Sequence, residues 1–134
     1  MDILVIDDDE LFGDILARFF RRKGFAGRVA HNGADALAIL SHQPRPVLIV
    51  CDIIMPIMNG FAFRRQQLQD PALAGIPTIM MSGHARFKRR VMRLGIDVFL
   101  IKPFAHTALE QALIRYSLAP QTTRPAPPSS VGGV

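Results

Sequence analysis

Short apolar runs alternate with amphipathic segments along most of the chain. The runs ILVI (3–6) and PVLIVC (46–51) are continuous and partly β-branched, which is typical of strands buried in a sheet. Apolar residues from 10 to 23 recur instead at helical spacing, and Gly24 ends that pattern. Applied to the whole chain, this reasoning predicts strands at 3–6, 27–30, 46–51, 77–81 and 97–101 and helices at 10–23, 33–40, 60–68, 85–94 and 107–118.

The regular alternation of strand and helix indicates the fold class. Five successive pairs of strand and helix predict an α/β protein with a doubly wound, five-stranded parallel sheet and helices on both faces. Thr107 and Glu110 have the spacing of a capping box at the start of the last helix. In folds of this kind, ligands bind beyond the carboxyl ends of the strands, so we expect the chemistry in the residues that follow each strand.

Length and composition add limits to this picture. The 134 residues suit one domain, and 49% of them are hydrophobic, which is enough for a substantial core. The sequence shows neither an 18-residue apolar run nor a secretory signal, so we expect a cytoplasmic protein. The single cysteine, Cys51, cannot form an internal disulfide and is predicted to be a buried core residue. Residues 119–134 are rich in Pro, Ser and Gly, so we interpret 1–118 as the domain and the remainder as a flexible tail or the start of a linker.

Charge is distributed very unevenly. The chain carries a formal net charge of +5, yet four of its eleven acids stand together at 7–10. Five of its sixteen basic residues lie between positions 86 and 93. Four of these have helical i, i+3, i+4, i+7 spacing and are predicted to share one helix face: Arg86, Arg89, Arg90 and Arg93. This arginine stripe is either a solvated face or a docking site, for which an acidic protein is the preferred partner and nucleic acid the lesser possibility.

Polar side chains follow four of the predicted strands. Asp7 and Asp8 follow the first strand, and Asp52, Ser82 and Lys102 follow the third, fourth and fifth. Three carboxylates in one crevice suit a hard divalent cation such as Mg²⁺, or Mn²⁺ in its place. One carboxylate could then attack phosphorus, while the metal, the ammonium and the hydroxyl stabilise the phosphoryl oxygens. The predicted metal site accounts for Asp7 and Asp8. Asp9 and Glu10 suit the N-terminus of the first helix, where the helix dipole favours negative charge.

Four segments together resemble the receiver domains of two-component response regulators, the family that includes the single-domain chemotaxis regulators. The segments are ILVIDDDE, VCDIIMPIMNG, IPTIMMSG and FLIKPF, in the order that the family shows. The resemblance covers residues 2 to about 118 and implies a flavodoxin-like receiver fold. The intervals of 44 residues from Asp8 to Asp52 and 30 from Asp52 to Ser82 suit the family.

The resemblance implies a role for each matching residue. Asp52 would be the phosphoacceptor, which receives its phosphoryl group from a histidine kinase or a phosphotransfer protein. Asp7, Asp8 and the backbone carbonyl of Ile54 would hold the metal ion together with Asp52. Ser82 and Lys102 would contact the phosphoryl group, and a cis peptide bond would join Lys102 to Pro103. Such a module is not a conventional enzyme, although it catalyses its own phosphorylation and dephosphorylation.

Several alternatives stay open at this point. Phe99 fits the aromatic residue that switches rotamer together with Ser82, but it is equally typical of a core residue. His84 is either an exposed loop residue or a group that overhangs the pocket. The interval from Ser82 to Lys102 is 20 residues, about two fewer than the family commonly shows, and the shortfall lies near the fourth helix. A phosphatase of the haloacid dehalogenase type and a nucleic-acid binder are the competing functions, although neither has its full motif.

Overall fold

The computed structural model describes residues 1–42 and 44–118; the predicted tail, 119–134, lies outside the described residues. The strands are β1 (Asp2–Ile6), β2 (Ala26–Ala30), β3 (Leu48–Asp52), β4 (Thr78–Ser82) and β5 (Val98–Ile101). The helices are α1 (Glu10–Arg22), α2 (Gly33–His42), α3 (Gly60–Gln69), α4 (Lys88–Arg93) and α5 (His106–Arg115), and a short 3₁₀ helix (Ala85–Phe87) precedes α4.

The five strands form one parallel sheet in the order β2-β1-β3-β4-β5, which confirms the predicted fold class. Val5 in the central region of β1 lies between Val29 of β2 and Val50 of β3. The register also aligns the carboxyl ends of the strands, since Asp52 is opposite Met81. The polar residues that end or follow the strands are therefore brought to one edge of the sheet.

The sheet separates two hydrophobic cores, because successive residues of a strand point to opposite faces. Leu4 and Ile6 belong to the core that also contains Phe61 of α3 and Val91 of α4. Cys51 is fully buried in the same core, which confirms the sequence prediction. The other core contains residues of β1, α1 and α5, namely Ile3, Val5, Leu16, Phe20, Leu109 and Leu113 among others.

The first helix ends as the sequence predicts. Gly24 has φ +92°, a conformation that glycine adopts without a steric penalty. Its N–H donates to the carbonyl of Arg21, and the N–H of Phe25 donates to that of Phe20, both at 3.0 Å. These two bonds form a Schellman motif, which satisfies carbonyl groups at the helix end.

The last helix is shorter than predicted, and its predicted capping box is wrong. It begins at His106 with Ala105 at the N-cap, so Thr107 lies inside the first turn and cannot cap the helix. Glu110 instead forms an ion pair of 2.7 Å with Lys23 at the end of α1. The helix ends at Arg115 in place of the predicted 118. Ser117 has a positive φ of 59°, which reverses the chain so that the N–H of Leu118 donates to the carbonyl of Leu113.

The fourth helix is not the single element predicted for residues 85–94. It divides into the 3₁₀ helix and the six-residue α4, and Gly95 (φ +78°) follows. Arg86 therefore lies outside the α-helical register of the other three arginines in the stripe. The inner face is as predicted: Val91 is fully buried, and Phe87 and Leu94 pack against the core under α3 and α4.

Two further sequence expectations can be compared with the structure. The peptide bond between Lys102 and Pro103 is cis, as the resemblance implies. Within residues 1–42 and 44–118, no helix has the length and apolar composition needed to cross a membrane.

Candidate functional site

Three carboxylates meet at the carboxyl edge of the sheet. Asp7 and Asp8 follow β1 and Asp52 ends β3, and each contributes an oxygen that lies within 4.8 Å of the other two. Asp7 is fully buried, Asp52 is 7% exposed and Asp8 is exposed. The pocket therefore combines one fully buried carboxylate, one almost fully buried carboxylate and one that faces solvent.

Lys102 joins this cluster from the end of β5. Its Nζ lies 2.9 Å from Oδ2 of Asp7 and 3.3 Å from Oδ2 of Asp52. The Lys102 side chain is about three-quarters buried, so the attraction between its ammonium and the two carboxylates is less screened than it would be at an open surface. Three carboxylates and one ammonium leave two negative charges in the cluster.

The four consecutive acids have separate structural roles. Asp7 Oδ1 accepts the backbone N–H of Asp9 at 2.9 Å, which fixes the turn after β1. Asp9 is the N-cap of α1 and accepts the N–H of Phe12 at 3.1 Å. Glu10 lies in the first turn of α1, where the helix dipole favours a negative charge. This chain direction leaves Asp8 at the mouth of the pocket.

The surroundings of Asp52 make its carboxyl unusually hard to ionise. Burial, followed by the nearby charge of Asp7, raises its pKa from 3.8 to about 6, although Lys102 and the N–H of Ile53 oppose that shift. Burial lowers the pKa of Lys102, but the hydrogen bond to Asp7 and the charges of Asp52 and Asp7 outweigh it and raise the pKa overall. The ammonium form of Lys102 is therefore firmly retained, and Asp52 is still mostly ionised at neutral pH.

The donor set of the pocket fits a small divalent cation. All three acidic side chains offer carboxylate oxygens, the donor type that Mg²⁺ prefers. The two uncompensated negative charges match one such ion. Exposed Asp8 leaves the pocket accessible from solvent, so a bound ion would keep water ligands that a phosphate group can replace.

The remaining predicted residues lie at or near the same edge. Ser82 ends β4, is almost fully buried, and its Oγ accepts the N–H of His84 at 3.1 Å. Phe99 is half-buried in β5 beside Met80 and packs on the core under α3 and α4. Ile54 lies in the bend two residues after Asp52, and the role of its carbonyl stays a prediction. His84 is exposed, with its ring 6.0 Å from that of Phe87.

Comparison with known proteins decides the family. A sequence model described as "Response regulator receiver domain" matches residues 3–114. The chain belongs to this family. As a receiver domain of two-component signalling, it resembles response regulator MprA of Mycobacterium avium, with 32% identity over 127 residues that cover 93% of this chain and 53% of MprA. The chain thus spans about half the length of that relative.

Solved structures of other receiver domains have the same fold. The signal receiver domain of a signal transduction histidine kinase from Syntrophus aciditrophicus superposes with a TM-score of 0.79 at 28% identity, covering 94% of this chain and 96% of that one. Chemotaxis protein CheY4 of Vibrio cholerae superposes with a TM-score of 0.78 at 25% identity, covering 86% of this chain and 97% of CheY4. The receiver fold and family are therefore confirmed.

Sequence reasoning missed the aromatic side of the receiver pocket. The Lys102 ammonium lies 4.5 Å from the centroid of the Phe12 ring, and that ring contacts Phe104 edge-on at 5.8 Å. Phe104 stands two residues after Lys102, and Phe12 is the fourth residue after Asp8. Phe12 is one of the apolar residues that recur at helical spacing between 10 and 23, and it packs against the core. That spacing gave no sign that the ring also faces the lysine.

Proposed function

We propose that this receiver domain accepts a phosphoryl group on Asp52 and thereby switches its binding to a partner. The donor is a histidine kinase or a phosphotransfer protein in the cytoplasm, and Mg²⁺ is required. The observation that carries the proposal is the position of Asp52, with an oxygen within 4.8 Å of those of Asp7 and Asp8 and 3.3 Å from the Lys102 ammonium. An isolated surface carboxylate would have neither the metal ligands nor the fixed cation.

The reaction is a displacement at phosphorus. A carboxylate oxygen of Asp52 attacks, the new O–P bond forms, and the bond from phosphorus to the donor nitrogen breaks. The donor imidazole, protonated on its other ring nitrogen, takes the bonding electron pair and leaves as neutral histidine. Lys102 offers positive charge to the phosphoryl oxygens from its fixed position beside Asp52. Bound Mg²⁺, held by Asp7, Asp8, Asp52 and the Ile54 carbonyl, would add charge stabilisation at the same oxygens. Attack of water at phosphorus then breaks the bond to the Asp52 oxygen, which releases inorganic phosphate and returns the carboxylate.

Ser82 and Phe99 are the proposed route from the pocket to the surface. Ser82 ends β4 directly beside β5, with Ile101 as its partner in the sheet register. A negative phosphoryl group on Asp52 would attract the Ser82 hydroxyl as a hydrogen-bond donor. That movement would free space for the half-buried ring of Phe99, which lies on the face of the sheet covered by α4.

The proposal predicts Mg²⁺-dependent phosphorylation by a small donor. Incubation with acetyl phosphate and Mg²⁺ should add one phosphoryl group to the protein, as measured by intact mass, because the pocket itself supplies the catalytic groups. Addition of a chelator before the donor should reduce the modification at least tenfold. Equal modification with and without Mg²⁺ would contradict the metal-assisted mechanism, and the absence of any modification would contradict the proposed function.

Exposed apolar residues beside the acidic pocket support docking of a protein donor. Leu11 and Ile15 stand one turn apart on α1 and are 72% and 44% exposed. Ile54 and Ile57 lie in the loop after Asp52 and are 53% and 85% exposed. Both segments adjoin the pocket because α1 follows Asp8 and the loop follows Asp52. A kinase or phosphotransfer helix could bury these side chains while it presents its phosphohistidine to the carboxylate.

The arginine stripe is the proposed docking site for the output partner. All four arginines are exposed, and none forms an ion pair with any residue in the described part of the chain. A shallow groove beside them is lined by Ala85, Arg86, Lys88, Arg89 and Met92. Met92 is 38% exposed, and an apolar side chain among cations suits an acidic protein segment better than a phosphate backbone.

Arg86 and Arg90 both lie over aromatic rings, and Arg90 makes the closer contact. Its guanidinium lies 3.9 Å from the centroid of the Phe61 ring, which is only 3% exposed. Arg90 therefore covers an aromatic residue of the core and stabilises the contact between α3 and α4. Arg89 and Arg93 are the better positions at which to test the docking proposal.

Reversal of Arg89 and Arg93 to Glu should weaken binding to an acidic amphipathic peptide at least tenfold at low salt, mainly through the association rate. Fluorescence anisotropy with the labelled peptide measures this loss, and Arg18→Glu with Arg22→Glu, two exposed arginines of α1, is the control with the same change in charge. Equal losses in both variants would show that net charge alone is responsible. Stronger binding to a DNA duplex, with a salt slope of about −0.9 per phosphate, would favour nucleic acid instead.

A further inference from the structure

Two carboxylates and one aromatic ring lie close to the Lys102 ammonium. Oδ2 of Asp7 and Oδ2 of Asp52 lie 2.9 Å and 3.3 Å from Nζ, and the centroid of the Phe12 ring lies 4.5 Å from the same atom. The face of an aromatic ring carries partial negative charge and attracts a cation at this distance. The lysine side chain as a whole is only 22% exposed, so water screens this attraction less than it would at an open surface.

Phe12 is itself fixed by two neighbouring groups, the N-cap of α1 and the ring of Phe104. Its backbone N–H donates to the side chain of Asp9, the N-cap of α1, at 3.1 Å. Its ring contacts Phe104 edge-on, with centroids 5.8 Å apart and planes at 84°. Phe104 is two residues beyond Lys102, so this aromatic pair joins the start of α1 to the segment that carries the lysine.

A lysine without such support would sample several positions. Its side chain is a flexible chain of four carbons. The ammonium, unlike a planar guanidinium, does not select one orientation of its hydrogen bonds. A lysine that must meet a phosphoryl group within hydrogen-bond distance of Asp52 gains from being placed there beforehand. The two acids attract the ammonium, but they do not prevent it from turning outward to water.

We propose that Phe12 is a positioning residue for phosphoryl transfer, which holds the Lys102 ammonium against Asp7 and Asp52 through the face of its ring. This inference rests on the proposed function of Asp52. Phe12 touches neither the phosphoryl group nor the metal ligands in this scheme and acts through Lys102 alone. The competing interpretation is that Phe12 only fills space on the core face of α1.

The ring and the volume can be separated by substitution. Phe12→Leu keeps an apolar side chain but removes the aromatic face, and Phe12→Tyr keeps the face. We expect Phe12→Leu to slow phosphorylation by acetyl phosphate by about threefold to tenfold, and Phe12→Tyr to restore the rate to within about twofold of the parent. Phe19→Leu is the matched control, because it removes another ring from the same helix. The centroid of the Phe19 ring lies 5.5 Å from the Lys23 ammonium, not beside Lys102.

A double-mutant cycle shows whether the effect passes through the lysine. In a Lys102→Met background, Phe12→Leu should cause no further loss of rate, since the ring then has no cation to hold. The same loss in both backgrounds, or a parent-like rate for Phe12→Leu, would overturn the proposal. Should Phe12→Leu prove too unstable, Phe12→Met tests the same point with a flexible side chain of similar size.

A spectroscopic measurement is independent of phosphorylation. Protons on the carbon next to Nζ of Lys102 should show an upfield ring-current shift in the NMR spectrum of the parent, and Phe12→Leu should lose it. A random-coil shift for these protons in the parent would overturn the positioning proposal, whatever the phosphorylation assay shows. A normal ring-current shift in a protein that is never phosphorylated would instead contradict the proposed function of Asp52.

Discussion

Asp52→Asn is expected to stabilise the metal-free protein at neutral pH and to abolish phosphorylation. The parent carboxyl has its pKa raised from 3.8 to about 6 by burial and by the charge of Asp7, so the folded state disfavours the ionised form. Its contribution to stability is complete below about pH 4 and is lost as the pH rises through 6. A shift of this size corresponds to at most about 3 kcal/mol in the free energy of unfolding.

Urea unfolding between pH 4 and pH 8, with a chelator present, measures this effect. The free energy of unfolding of Asp52→Asn should exceed that of the parent most at pH 7 to 8. The two values should converge near pH 4, where the parent carboxyl is protonated and therefore neutral, like the asparagine amide. Asp14→Asn, which removes an exposed acid of α1, should change the free energy by no more than about 0.5 kcal/mol. Equal stability of Asp52→Asn and the parent at pH 7 would contradict the electrostatic account of the pocket.

Gly60→Ala should be strongly destabilising, because the start of α3 lies directly against the end of β3. A Cβ at Gly60 would stand 2.4 Å from the carbonyl oxygen of Asp52 and 2.9 Å from Cα of Ile53, and backbone atoms cannot move aside as a side chain can. We expect a loss of about 2–3 kcal/mol in the free energy of unfolding despite the better helix propensity of alanine. Because the displaced backbone carries Asp52, phosphorylation should also slow at least tenfold.

Gly83→Ala is the matched control for that substitution. Gly83 follows Ser82 near the same pocket, but, apart from its two neighbours in the chain, no described residue would have an atom within 4 Å of a Cβ there. Its free energy of unfolding should remain within about 0.5 kcal/mol of the parent in the same denaturation experiment. If Gly60→Ala were as stable as Gly83→Ala, the close approach of α3 to β3 would be wrong.

Much of the fold and of the acidic pocket could be predicted from sequence, because both depend on the spacing of apolar residues and on which polar residues follow the strands. The strands at 3–6 and 46–51 were visible as continuous apolar runs, and each observed strand begins and ends within two residues of its prediction. Once the sheet is parallel, its carboxyl ends must converge. The meeting of Asp7, Asp52 and Lys102 then follows from the position of each residue after its strand.

The rest could not be predicted because it depends on side-chain direction and local turns. Thr107 and Glu110 have the correct spacing for a capping box, yet the helix begins one residue earlier and Glu110 pairs with Lys23, 87 residues away in sequence. Arg90 has the spacing of a surface residue but packs on Phe61. Phe12 fits a core pattern that does not reveal the contact of its ring with Lys102.

Reductive trapping of the phosphorylated residue tests the central claim most directly. An aspartyl phosphate is an acyl phosphate, which borohydride reduces to an alcohol, so a phosphorylated aspartate becomes homoserine while free carboxylates are unchanged. Peptide mass mapping after treatment with acetyl phosphate, Mg²⁺ and borohydride should locate homoserine at position 52 and at no other aspartate, and a chelator should prevent it. Homoserine at Asp7, Asp8 or any other aspartate in place of Asp52 would contradict the account.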